Sequence, residues 1–517
     1  MRLSSIFSDG MILQRGKPAL LKGHARGNQV TVTFAGNIYK TEPLQGDYFE
    51  ISLPSFDAGG PYEMVIYDGE RTVISDIMIG DVYLLGGQSN MELPVSRTMD
   101  VSEAYIAGDD YPDIRMFQVP KEYCFEGPCE VLSDGSWRKA TAKNIMDFSA
   151  AGYFLAKNLY EAYQIPIGLI HAAVGGTPVE AWMSEEALLE LGLCEERLRK
   201  NKDKEWVDSV IASDNERISG WHNTLRSKDK GIAEHWERQE NAAFSNTFLI
   251  PGMWENTELD SYKGSIWFAK EFEVPEEWEG KEVLLRLGAI IDGDTTYVNG
   301  VMVGYTDYRY PPRKYLLPPD LLHSGKNVVT IHMFSDAQPG GFMPGKKYGL
   351  EYRGKFISLE GEWKYKIGVP MERLEPQTFF QYEPAGLFNK MIAPLKGFGI
   401  AGAAYYQGES NKREPKGYSE KFEKMIAVWR EQLGQGEVPF LYVQLPYFAE
   451  GREGWIDEDW EALRREQKKA LRIPNTAMID AYDIGEYNDL HPQNKMELGR
   501  RLFMAARKLI YKEDILY

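Results

Sequence analysis

The chain has 517 residues, 43% hydrophobic and 26% charged, with a formal net charge of -18. That length accommodates about two to four domains with a full apolar core, and the charge argues against nucleic acid or an anionic membrane surface as the main partner. The three cysteines Cys124, Cys129 and Cys194 are too few, and odd in number, for a disulfide framework or a tetrahedral zinc site.

The first ten residues carry no long apolar segment, and no later run reaches the length of a membrane span. The expectation is a cytoplasmic protein with no membrane partner. Residues 1–76 read as a small all-β domain, with alternating runs such as Gln29-Val-Thr-Val-Thr-Phe34 and Tyr62-Glu-Met-Val-Ile-Tyr67. From 77 the pattern changes. The apolar run Val82-Tyr-Leu-Leu85 ends in two glycines, a helical pattern covers Ser149 to Tyr163, and a second strand, Ile167 to Val174, also ends in two glycines. Residues 195–245 are charged and read as helical. Residues 254–370 read as β again, on the strength of Ser265 to Phe272, Glu282 to Leu287 and Asn327 to His332. Over 371–517 the βα alternation returns. The strand expectations there are Ile400 to Tyr406, Phe440 to Gln444 and Ala477 to Ile479. The helix expectations are Tyr418 to Leu433, Asp459 to Leu471 and Asn494 to Tyr511. The economical fold class is α/β: one α/β domain in two parts, 77–253 and 371–517, interrupted by a β-domain over 254–370.

Four motifs each follow a parallel-strand candidate: Gly86-Gly-Gln-Ser-Asn-Met-Glu92, Gly175-Gly-Thr-Pro-Val-Glu-Ala-Trp182, Gln407-Gly-Glu-Ser-Asn411 and Asp489-Leu-His-Pro492. The carboxyl ends of strands in an open parallel sheet share one edge, where ligands bind. Residues four hundred positions apart therefore meet in one cleft. That cleft offers Ser89 as nucleophile, His491 as base and two carboxylates, Glu409 and Asp489, as candidates to orient the imidazole. The backbone N–H groups of Ser89 and Gly176 could bind a developing oxyanion, and the amide of Gln407 or Asn411 could add a donor.

These stretches resemble the sialate O-acetylesterase group of SGNH hydrolases, which also includes acetylxylan esterases. The likeness runs through Phe7-Ser-Asp-Gly-Met-Ile-Leu-Gln14, Gly87 to Glu92, Gly175 to Trp182, Leu387 to Leu395, Tyr405 to Asn411 and Asp489 to Pro492, in that order. It implies a flavodoxin-like α/β/α domain in which Ser89 attacks an acetyl carbonyl and His491 accepts the serine proton. Gly176 and Gln407 would take the oxyanion-hole positions, and Gln88, Asn411 and Glu180 are carried as substrate-binding candidates. No cofactor or metal is implied. The partner is an acetylated mono- or oligosaccharide, and association into a homo-oligomer is compatible with the class. Many members of the superfamily place an Asp three residues before the His, where this chain has Asn488. Glu409, Asp489 and a backbone carbonyl therefore all stay open as the orienter of His491. The segment 254–370 resembles the jelly-roll domain of family-two β-galactosidases and β-glucuronidases, through Gly264 to Phe272 and Lys326 to His332.

Plainer readings stand beside these. His171, inside an apolar strand, reads as a satisfied core residue, Trp182 and Trp429 as core, and Arg413 as a solvated surface group. Glu180 either binds substrate or braces its loop. The 13% aromatic content suits sugar stacking and equally a β-sandwich core. A glycosidase using the β-insert and a non-catalytic sugar-binding protein are the alternative functions.

Overall fold

The computed structural model describes residues 1–44, 46–238 and 243–515. Its organising element is one long strand, β1 (Arg71–Gly87). The first half of β1 pairs with Gly59–Tyr67 antiparallel and with Ile12–Gln14 in parallel. The second half lies in the middle of a parallel sheet. From Ile77 onward every residue of β1 is buried, as expected for a strand covered on both faces. The sequence suggested a boundary near 76; the structure runs straight through it, and the N-terminal strands share one apolar core with the α/β elements.

The sheet is completed by β2 (Tyr111–Gln118), β3 (Trp137–Ala140), β4 (Ile167–Ala173), β5 (Gly402–Tyr406), β6 (Phe440–Val443) and β7 (Thr476–Ile479). The order is β3-β2-β4-β1-β5-β6-β7. All neighbours are parallel except the edge pair β3 and β2. The chain builds one side of β1 first and then crosses to the other, so the topological switch lies at β1 itself.

Strand alternation sorts the helices onto two faces. Leu85 points to α2 (Ala150–Tyr163), where a methyl group at Gly152 would come within 2.2 Å of Leu85 Cδ1. The next residue, Gly86, faces α4 (Tyr418–Leu433), where a methyl would meet the Trp429 ring at 2.5 Å. Helix α2 starts on Ser149, whose hydroxyl accepts the Gly152 N–H at 3.1 Å. The last helix, α6 (Lys495–Leu509), starts on Asn494, which accepts the Glu497 N–H at 3.2 Å, and packs beside α2. Helix α5 (Glu458–Lys469) completes the α4 side; there Tyr442 of β6 donates to the Gln467 carbonyl at 3.1 Å.

Between β4 and β5 lie a charged helix, α3 (Lys204–Lys228), and a β-region with its own core. Two larger antiparallel sheets, with a short three-stranded one, line that core. The six-stranded one runs Asn246–Ile250, Gly361–Pro370, Gly264–Val274, Gly325–Ser335, Gly293–Val298, Val301–Thr306. The other has four strands. The β-region thus begins earlier than its expected start at 254, because Asn246–Ile250 pairs with Gly361–Tyr365. Trp221 and Leu225 of α3 pack on Val369 and Leu374, tying the helix to the exit of this region. No described helix is long and apolar enough to cross a membrane.

The fold makes one local demand that can be tested. Gly87 ends β1 at φ +126°, and a methyl there would lie 2.1 Å from the Tyr406 carbonyl oxygen of β5. Gly87→Ala should cost about 2–3 kcal/mol through overpacking against backbone. Chemical denaturation reads this directly, and a loss of less than about 0.5 kcal/mol would contradict so close an approach.

Candidate active site

Three neighbouring strand ends bring the motifs together. β1 runs into the short helix α1 (Ser89–Glu92), β4 into the Gly175-Gly176 turn and β5 into the Gln407–Asn411 loop. The stretch after β7 delivers His491 just ahead of α6. Ser89, Gly176, Glu409 and His491 all line one cleft of about 760 Å³, inside the usual range for small-molecule sites.

The Gly175-Gly176 turn is pinned beside Ser89. Glu92 accepts the Gly175 N–H and is itself paired with Lys121. A methyl at Gly175 would sit 3.4 Å from Ser89 Cβ. Gly176 has φ +79°, and a methyl there would overlap the Tyr382 hydroxyl at 2.1 Å, so this position is open only to glycine. The Ser410 hydroxyl holds the Gly176 carbonyl at 2.7 Å. Among the described residues, the N–H groups of Ser89 and Gly176 have no backbone or side-chain acceptor. They are donors with capacity in hand at the cleft.

Asn90 is the cross-link of the site. Its Nδ2 donates to Glu409 Oε1 at 2.6 Å and to the Leu490 carbonyl at 2.9 Å, while its Oδ1 accepts from Lys495 Nζ at 2.7 Å. One fully buried side chain therefore joins the Ser89 helix, the Glu409 loop and the His491 loop. Burial pushes the Glu409 carboxyl above its ordinary range, against the Asn90 hydrogen bond. Burial pushes His491 down to about 3, helped by the charges of Lys495 and Arg97. The imidazole is thus neutral, the form a general base needs. Both His491 ring nitrogens and Glu409 Oε2 are without hydrogen-bond partners among the described residues. The Tyr310 ring, from the inserted β-region, stands edge-on to His491 at 5.2 Å and 80°. No group of three or more His, Cys, Asp or Glu able to hold a metal occurs among the described residues.

A family model described as carbohydrate esterase, sialic acid-specific acetylesterase, matches residues 79–211 and 368–508, just over half of the chain and both flanks of the insert. The chain belongs to this family. A sialate O-acetylesterase of Rattus norvegicus is 30% identical over 211 residues, which cover 37% of this chain and 39% of that protein. The match thus spans about two fifths of the relative's length. A β-glucuronidase of Streptococcus agalactiae is 34% identical over 74 residues, 14% of this chain and 12% of that one. The crystal structure of a carbohydrate acetylesterase from Xanthomonas citri aligns over 100% of this chain and 76% of its own, with a TM-score of 0.59 and 24% identity, a likeness of fold.

Within this acetylesterase family site, several expected roles change. Asp489 does not meet the imidazole: its Oδ1 accepts the backbone N–H of His491 at 2.9 Å and its Oδ2 pairs with Lys346 at 2.9 Å. No backbone carbonyl meets the ring either. Gln407 Nε2 has three protein acceptors around it, Asn411 Oδ1 at 2.7 Å, the Thr177 carbonyl at 3.1 Å and Gln88 Oε1 at 3.2 Å, which leaves its two amide hydrogens none to spare for an oxyanion. Gln88 lines the cleft, but its Oε1 also accepts the Gly408 and Ser410 N–H groups at 3.3 Å, so this oxygen holds the loop. Asn411 and Glu180 lie behind the cleft wall. Asn411 accepts the Val179 N–H at 3.0 Å and donates to Glu180, and Glu180 pairs with Lys421 at 2.5 Å. Burial opposes ionisation of Glu180, yet Lys421 holds its carboxyl below the ordinary range. Trp182 and Trp429 are core, and Arg413 is exposed. His171 is buried with Nδ1 on Gln118 Oε1 at 2.6 Å, but its Nε2 is unpartnered and it borders the cleft, so it is only half satisfied.

Sequence reasoning missed Asn90, Lys495, Arg97 and the tyrosine pair Tyr308 and Tyr310. Asn90 lies in the Gly86 to Glu92 motif, where an asparagine next to a serine reads as turn chemistry. Lys495 lies one turn beyond His491 at the start of a helix, where a lysine carries no signal. Tyr308 and Tyr310 come from the insert, whose docking no local pattern encodes.

The burial of His491 fixes an observable. Its ring 15N shifts should stay those of the neutral imidazole from pH 8 to below pH 5, with the midpoint far under the ordinary value of about 6.5. A midpoint near that value, assigned by loss of the signal in His491→Gln, would contradict a desolvated ring.

Proposed function

We propose that this protein is a carbohydrate O-acetylesterase acting through a Ser-His acyl-enzyme, with Ser89 as nucleophile, His491 as base and Glu409 as orienter. The observation that carries the reading is the Asn90 cross-link, which sets Ser89, Glu409 and His491 around one cleft beside two unspent N–H donors. In the proposed reaction His491 takes the Ser89 proton as Oγ attacks the acetyl carbonyl, and the oxyanion is received by the Ser89 and Gly176 N–H groups. The imidazolium then protonates the departing sugar oxygen. Water, deprotonated by His491, releases acetate from Ser89. Glu409 is favoured over Asp489 because it has an unengaged oxygen at the cleft, whereas both oxygens of Asp489 are committed.

The parallel sheet with helices on both faces supports an SGNH-type, flavodoxin-like assignment for the two flanking segments. The two larger antiparallel sheets around their own core support a jelly-roll reading of the insert. For the substrate, Arg97 is suggestive. It lines the cleft, has no ion-pair partner among the described residues, and makes a single long contact of 3.5 Å to the Tyr310 carbonyl. An unpaired guanidinium beside the ester centre suits an acetylated sugar that bears a carboxylate. The glycosidase alternative needs two carboxylates flanking a scissile bond; here Glu92 is committed to Lys121 and Gly175.

Turnover of p-nitrophenyl acetate and of acetylated sialic acid, by wild type and variants of confirmed fold, tests the reading. Ser89→Ala should abolish acetate release. Glu409→Gln should lower kcat by about 10³–10⁴, and Asp489→Asn by less than about tenfold. Equal activity in wild type and Ser89→Ala would overturn the mechanism. A large loss in Asp489→Asn with a small one in Glu409→Gln would exchange the two carboxylates.

A further inference from the structure

Lys495 is an ammonium with 1% exposure and no carboxylate within ion-pair distance among the described residues. Its hydrogen bonds go to Asn90 Oδ1 at 2.7 Å and the Pro492 carbonyl at 2.8 Å, and the Tyr406 ring lies 5.4 Å away. A buried charge without a direct counter-ion is costly, so its position calls for a reason. The carboxylates on the neighbouring loop do not supply one: Glu486 and Asp489 are both taken by Lys346, at 2.8 and 2.9 Å. What remains is Glu409, reached through Asn90. Lysine can only donate. It therefore holds Oδ1 of the Asn90 amide and turns Nδ2 toward Glu409 Oε1, a direction the Leu490 carbonyl also demands.

We propose that Lys495 is a positioning residue that acts through Asn90 to keep the buried Glu409 ionised, with Oε1 as an acceptor and Oε2 left for the imidazole of His491. The same charge faces His491 and, together with that of Arg97, favours its neutral form. Lys495 thus biases the pair toward carboxylate and neutral imidazole, the state that can accept the Ser89 proton. Burial pushes Lys495 itself down to about 8, against the pull of Glu409, Asp489 and Glu486. The charge is accordingly present at neutral pH and fades above it. The kinetic consequence rests on the esterase reading; the ionisation consequence does not.

Two variants separate charge from donor. Lys495→Met removes both, and Lys495→Gln keeps a donor for Asn90 without the charge. Removing the charge raises the proton affinity of both Glu409 and His491, so both effects move the acid limb of kcat/KM for p-nitrophenyl acetate in one direction, upward. A shift of about one pH unit is expected in each variant. kcat at pH 7 should fall by about 100-fold in Lys495→Met and by about tenfold in Lys495→Gln. A general loss of packing would lower kcat without moving the limb. The turnover-independent readout is the ring 15N titration of His491, whose midpoint should rise in both variants. An acid limb and a His491 midpoint that stay put in a folded variant would overturn the proposal. If Lys495→Met does not fold, Lys495→Gln alone decides it. A wild type inactive on every acetyl ester would remove the esterase reading, and the His491 titration would still test the charge coupling.

Discussion

The amide of Asn90 holds together three pieces of chain that lie far apart in sequence. Its donors tie Glu409 and the carbonyl before His491, and its oxygen takes the Lys495 ammonium. The sheet brings these pieces to a common edge, but an edge is broad. Without the amide, the loop after β7 would be fixed to the Ser89 helix only by packing, and the loop after β5 only through Gln88. Burial makes the arrangement exacting, because each group in it is either hydrogen-bonded to Asn90 or held for chemistry, and an unmet polar atom at such depth costs about 1–3 kcal/mol.

Around this centre the remaining polar groups act as bracing. Gln88, Gln407, Asn411 and Glu180 form a continuous network from the turn before Ser89 to Lys421 on α4. On the opposite side Glu92 locks the Gly175 turn to Lys121. The division of labour follows from donor and acceptor counting. Groups whose hydrogen-bonding capacity is used up hold the loops, and groups with capacity in hand, such as Glu409 Oε2 and the His491 ring, belong to residues that line the cleft.

Much of this was legible from sequence where periodicity or strand grammar carries it. The helix at Tyr418–Leu433 was readable to the residue, and α2 and α6 were readable to their capping residues Ser149 and Asn494. The convergence of Ser89, Gly176, Glu409 and His491 followed from strand ends sharing one edge. What local pattern leaves open is the partner of each side chain within the motifs. Gln407 and Asp489 have the right chemistry at nearly the right place, and only the partners they find decide that one is a brace and the other an anchor for backbone. Those partners, Thr177 and Lys346, come from other segments. The continuity of β1 past residue 76 was also hidden, because Asp76 and Gly80 look like breakers when read locally, although the strand carries on through both.

The insertion between β4 and β5 has a consequence for how the molecule is made. β1 cannot acquire its neighbour β5, more than three hundred residues later, until the ribosome has released the whole intervening segment. Contacts of such separation slow folding, although loop-closure entropy grows only logarithmically with length. A β-region with its own apolar core can fold while it waits, which shortens the disordered span that β5 must bridge. His491 and Lys495 arrive last of all, so a nascent chain carries Ser89 for most of its synthesis without the groups that complete the cleft around it.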